Sequence, residues 1–193
     1  MTVMEGTIGP HATRLLIPDL RSAVDRGRVF AVANQAGITT QAGLSLTTPA
    51  LTLANPLGSG VKGRLWFAGV TFTVVFATVG AIWLAVGTSP VAAAVTGTLT
   101  TAHRNLKLGG LDQQGNKIIP YLAATLPAAP VGISLLGSGL TGAVNLLPHI
   151  QALGRWYYGS IKIMPGTNVS IQTGVASGAT GTFCEYIWEE EDE

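Results

Sequence analysis

Apolar and polar positions follow one another in short runs along most of this chain, and Gly, Pro and Asn mark the breaks between them. No residue from Val29 to Val61 is charged. Within that stretch Leu44 and Leu46, then Leu51 and Leu53, alternate with small or polar neighbours on either side of Thr48-Pro49. This alternation predicts two short strands, closed by a turn over Asn55-Pro56-Leu57-Gly58-Ser59-Gly60. The run from Leu65 to Val86 is 22 residues long and uncharged, which by length and apolarity alone fits a membrane helix. Its β-branched and aromatic residues, Trp66, Phe67, Val70 and the series from Thr71 to Phe76, instead favour a pleated strand. Ala77-Thr78-Val79-Gly80-Ala81 interrupts the run with small side chains, so the expectation is a two-strand hairpin, with a membrane span over 65–86 as the alternative.

Beyond Ser89-Pro90, a Thr-rich stretch leads into polar residues with Gly109-Gly110 and Gly115-Asn116, which predicts a long solvated loop. Charge disappears again from Ile118 to Gly154, where Pro120, Pro127, Pro130 and Pro148 leave only strand-length pieces. The last third reads as three strands. One runs from Arg155 to Met164, one from Asn168 to Thr173 after the Pro165-Gly166 turn, and one from Thr182 to Trp188. Strands recurring about every ten residues indicate a β-sandwich or barrel. Residues 1–28 differ, with Pro10, Pro18, four basic and three acidic side chains. They predict an extended arm with one short helix near Pro18–Asp25 that Asp19 caps. The division expected is therefore an arm over 1–28, a sandwich over 29–188 and an acidic tail over 189–193.

Composition narrows the class. Only 11% of the 193 residues are charged, against about 25% in ordinary soluble domains, and there are 25 glycines and 10 prolines. A coiled coil, a helical bundle with charged outer faces and a charge-driven disordered chain are excluded. Sides so poor in charge need covering, by lipid or by other protein. The net charge of +1 hides a segregation, because five of the ten acids are Glu189, Glu190, Glu191, Asp192 and Glu193. That run is expected to solvate the terminus rather than dock on a basic partner. The eleven basic residues form no dense stripe, so nucleic acid is not expected as the main partner. A single cysteine, Cys184, excludes an internal disulfide framework and a multi-cysteine metal knuckle. The first residues lack a charged segment followed by an apolar one, so secretion is not expected.

Candidate chemistry is sparse. Gly137-Ser138-Gly139-Leu140-Thr141-Gly142 fits a dinucleotide fingerprint in spacing. Pro148 would end the required helix early, however, and no acid lies between Asp112 and Glu185 to hold a ribose, so a glycine-rich connection is expected. His11, His103 and His149 are far apart and predict no metal site. Cys184 reads as a buried structural thiol, and the acids Glu5, Asp19, Asp25, Asp112 and Glu185 form no sequence-adjacent pair for acid–base catalysis. Asn168-Val169-Ser170 is a formal glycosylation sequon expected to be no more than an Asn at a strand start. Trp156, Tyr157 and Tyr158 could stack on sugar rings, although strand packing is the commoner fate of such residues. Neither a catalytic constellation nor a cofactor is expected.

Several segments carry a resemblance. They are Thr48-Pro49-Ala50-Leu51-Thr52-Leu53-Ala54-Asn55-Pro56, Leu126-Pro127-Ala128-Ala129-Pro130, Ile163 to Gln172, and the ending Tyr186-Ile187-Trp188-Glu189-Glu190. From about Gly37 onward the pattern resembles small virion proteins of tailed bacteriophages, in particular jelly-roll capsid decoration, or cement, proteins. The resemblance implies a jelly-roll-like antiparallel β-sandwich with an extended N-terminal arm, a homo-oligomer, trimer or dimer with the trimer favoured, fastened outside the head to the major capsid protein. It brings no catalytic residues. Its arm would reach the capsid through Arg14, Arg21, Arg26 and Arg28, with Leu15, Leu16 and Ile17 as an apolar anchor. The alternatives are a carbohydrate- or receptor-binding fibre tip that uses Trp156, Tyr157 and Tyr158, and the small membrane protein.

Overall fold

Two antiparallel sheets face each other and hold the apolar residues between them, in a computed structural model that describes residues 20–72, 80–87, 94–109, 115–139, 153–177 and 181–193. The elements in chain order are α1 (Leu20–Asp25), β1 (Val29–Ala33), β2 (Leu51–Asn55), β3 (Val61–Phe72), β4 (Gly80–Gly87), β5 (Thr96–Leu99), β6 (Arg104–Asn105), β7 (Ile119–Thr125), β8 (Val131–Gly139), β9 (Leu153–Ile163), β10 (Thr167–Thr173) and β11 (Thr182–Asp192). Sheet A has the order β6-β1-β11-β3-β9, and sheet B the order β5-β7-β2-β10-β4-β8.

The pairing is nested. β1 pairs with β11, β2 with β10, β3 with β9 and β4 with β8, and successive pairs alternate between the sheets. This is the jelly-roll arrangement, a long hairpin wound around one core. Strands β5, β6 and β7 lie at the tip of that hairpin and widen both sheets, β7 and β5 beyond β2 and β6 beyond β1.

Among the described residues no two consecutive strands pair. The uncharged run over 65–86 does break into two strands, but they do not form the expected hairpin, since β3 lies in sheet A and β4 in sheet B. Both are interior strands, paired along both edges, and the outward residues Phe67, Thr71, Ala81 and Trp83 are half-buried, so the run stays apolar through both strands. No helix among the described residues is long and apolar enough to cross a membrane. Leu44 and Leu46 lie in a loop rather than a strand, held by isolated bridges at Ala42 and Thr47 and by the Gln172 amide, which bonds both backbone groups of Ser45. The loop expected before Ile118 contains β5 and β6.

Leu51, Leu53, Leu65, Ile82, Leu84, Ile163, Ile171, Tyr186 and Trp188 form the centre of the core. Each large apolar side chain buried there contributes about 1.5–3 kcal/mol. Two polar ties cross between the sheets. The Tyr186 hydroxyl donates to Leu51 O at 3.1 Å, and Asn55 Nδ2 donates to Val61 O and Ile163 O at 2.8 Å each. Burial pushes the Tyr186 phenol well up, so it remains a neutral donor.

The four acids expected to begin a solvated tail, Glu189 to Asp192, are the end of β11. Glu189 is 2% and Glu190 7% exposed. N–H donors bring them inside: Trp66 Nε1 reaches Glu189 at 3.3 Å, while Glu190 accepts from Lys117 N at 2.8 Å, Ile118 N at 2.9 Å and Trp188 Nε1 at 3.0 Å. Glu191 pairs with Arg64 at 2.8 Å. α1 buries Ala23 and ends at Gly27 (φ +70°), where Gly27 N bonds Val24 O and Arg28 N bonds Ala23 O, a Schellman cap.

Candidate functional site

The outer face of sheet A carries a trough whose shape follows from cross-strand register. Val32, Ala68, Val70, Cys184 and Tyr186 face the core, so their strand neighbours face outward. One outward row crosses four strands as Ala33, Glu185, Gly69 and Gly154, and the next as Ala31, Ile187, Phe67 and Trp156. On the other side lies the Thr71–Phe183 pair. A low row of Ala and Gly between taller rows leaves a trough of about 480 Å³ that Phe67, Phe183 and Glu185 help to line.

The two glycines are required by close approach. A Cβ on Gly154 would run into the Phe67 ring, and one on Gly69 would lie 2.7 Å from both that ring and Glu185 Oε1. Phe67 therefore leans over the glycine pair, and its centroid is 5.0 Å from that of Trp156 with the planes at 53°.

The aromatic triplet lies where β9 bulges. Tyr157, Tyr158, Gly159 and Ser160 together face the single residue Trp66 of β3. Tyr158 (φ +51°) and Gly159 (φ +74°) are both left-handed, and Ser160 Oγ donates to Tyr157 O at 2.6 Å. Strand alternation turns Tyr157 into the core, where it is 8% exposed, and leaves Trp156 and Tyr158 45% and 52% exposed. Those two rings stack at 6.2 Å with planes 27° apart. Of the three aromatics expected to act together, Tyr157 is thus excluded from any surface platform.

Compared with protein-family models, curated proteins and solved structures, the chain matches none.

The other expected sites are dispersed. Arg14, Leu15, Leu16 and Ile17 lie outside the described residues. Arg21 and Arg26 are exposed on and just after α1, and Arg28 pairs with Asp192 at 3.2 Å. His103 Nδ1 is 2.9 Å from Thr100 O. Among the described residues no group of three His, Cys, Asp or Glu is placed to hold a metal. Asn168 is buried within β10 between β2 and β4. Gly137 to Gly139 belong to β8, and residues 140–152 lie outside the described part.

Burial, with the Glu185 charge adding, pushes the Cys184 thiol well up, so no thiolate is available there. Glu185 is exposed, and no side-chain partner of it is found among the described residues. Thr71 Oγ1 is buried beside the trough with no hydrogen-bond partner among the described residues. Apart from the thiol, Glu185 is the one titratable group among the described lining residues, so the arrangement offers recognition chemistry rather than an acid–base pair. Phe67, Gly69, Thr71, Gly154 and Glu185 had no local signature, because three strands distant in sequence bring them together.

Proposed function

We propose that the chain is a non-enzymatic structural protein that works as an assembled oligomer, a trimer, with its setting on the outer surface of a bacteriophage head. There it decorates and cements the major capsid protein. The observation that carries the assembly reading is the open edge of the sandwich. β8 ends sheet B and β9 ends sheet A, and Arg155 of β9 bonds Ser134 of β8 at 3.1 Å. Along β8 the alternate residues Val131, Ile133 and Leu135 are each about half exposed. β8 slips register against β4 twice, and β9 carries its four-residue bulge. Bulges of this kind discourage strand addition at an edge. Association at this edge therefore uses apolar side chains rather than backbone pairing. The jelly-roll topology and the virion-protein resemblance supply the capsid setting, where many modest interfaces add by multivalency.

Light scattering coupled to size exclusion, without detergent, tests the assembly. The expected species is a trimer of 19.9 kDa chains. Leu135→Asp should convert it to monomers with an unchanged β signal in circular dichroism, and a monomeric parent protein would sink the reading. Decoration is tested on purified phage heads with residues 1–19 removed. The cut belongs before Leu20, because Lys107 Nζ and Asn105 Nδ2 bond Asp25 O and Gly27 O. A folded oligomer that no longer occupies heads is the expected result, and full occupancy would remove the arm from the mechanism.

A further inference from the structure

We infer that the trough on sheet A and the exposed Trp156–Tyr158 pair beside it form a saccharide-binding site, with Phe67, which lines the trough and packs on Trp156, joining the two and Glu185 as the polar contact. The inference goes beyond the assembly reading. It uses none of Val131, Ile133 and Leu135, so either can fail alone.

Four observations converge on a sugar ring. Trp156 and Tyr158 lie nearly parallel and half exposed, and a wall of such rings matches the flat C–H face of a pyranose. In the trough lining, the exposed Glu185 carboxylate lacks a side-chain partner among the described residues and can accept from sugar hydroxyls. The Gly69–Gly154 pair lets the Phe67 ring lie down over the sheet, because a side chain at either position would collide with it, and the ring then offers its upper face to a ligand. The volume, about 480 Å³, is in the usual range for a small-ligand site of about 300–1,000 Å³.

The same features weigh against other ligands. A phosphate or nucleic acid would meet Glu185, the one charge among the described lining residues, and be repelled. A quaternary ammonium needs rings closing around it, whereas Trp156 and Tyr158 form a near-parallel pair with Phe67 inclined to one side. A peptide strand would need a regular edge, and β9 is bulged.

The test is a glycan array with the full chain, followed by tryptophan-fluorescence titration with cellohexaose, chitohexaose, maltohexaose and mannohexaose. At least one array glycan or hexaose should bind and change the Trp156 emission. Trp156→Ala and Tyr158→Ala should each weaken that binding at least tenfold, and Glu185→Gln several-fold, with circular dichroism and oligomer mass unchanged. Glu185→Gln serves as the variant least able to disturb the fold, since its side chain is exposed. The proposal is overturned if no glycan or hexaose binds, if Trp156→Ala binds as well as the parent, or if choline chloride alone produces the spectral change.

Discussion

The two ends of β11 carry the same residue type with opposite fates. At one end Glu185 stands exposed on the outer face of sheet A beside Phe67. At the other, Glu189 and Glu190 are buried, and four N–H groups meet their carboxylates. What differs is the supply of donors. Trp66, Trp188 and the backbone at Lys117 and Ile118 replace the water that a buried carboxylate loses, whereas the neighbours of Glu185 are glycine, alanine and aromatic rings that offer none. One end of the strand is consequently a structural lock. The other is an unoccupied acceptor.

The largest effect should come from removing the lock. Glu190→Ala leaves Lys117 N, Ile118 N and Trp188 Nε1 without their acceptor, and unsatisfied buried donors cost about 1–3 kcal/mol apiece. Urea unfolding should show a loss of about 3 kcal/mol or more, while Glu185→Ala should stay within about 0.5 kcal/mol of the parent. Equal losses at the two positions would erase the distinction between the ends.

A smaller effect is expected at the open end. Gly154→Ala places a Cβ against the Phe67 ring and should cost about 1–3 kcal/mol by overpacking. Adding Phe67→Ala to the same chain should recover most of that cost, which a double-mutant cycle measures. Strictly additive losses would mean that the ring is not what the glycine accommodates.

The smallest effect is a pH dependence confined to the lock. Burial raises the Glu190 carboxyl above its ordinary value of 4.5, and the Lys117 backbone, Trp188 and Ile118 N–H groups pull it only partly back. A carboxyl whose folded pKa lies above its unfolded one binds its proton more tightly when folded. Its contribution is therefore complete below the unfolded pKa and is lost as pH rises through the folded pKa. Thermal melts from below 4.5 up to neutral pH should show a decline that Glu190→Gln lacks, and parallel curves for the two proteins would exclude it.

Much of the fold was legible because strand formation leaves local marks. Apolar alternation, β-branched content and Pro-Gly punctuation located β2, β3, β4, β9, β10 and most of β11, and the short helix near Asp25 appeared as α1. Leu44 and Leu46 show where alternation misleads, since they had no partner run and became a bridged loop. The acidic run from Glu189 onward was misread for a related reason. Charge density is visible in a sequence, but donors at Trp66 and Ile118 become relevant only once β11 pairs with β3 and the segment before β7 folds against it.

By itself, then, the sequence determined an all-β chain, its low charge and therefore its need for covered surfaces, and the positions of most strands. Pairing was decided only by the tertiary structure, because every pair of hydrogen-bonded strands among the described residues joins strands that are not consecutive in the chain. Local propensity carries no information about such partners. The trough follows the same logic: Phe67, Gly69, Gly154 and Glu185 are ordinary strand residues until register sets them side by side.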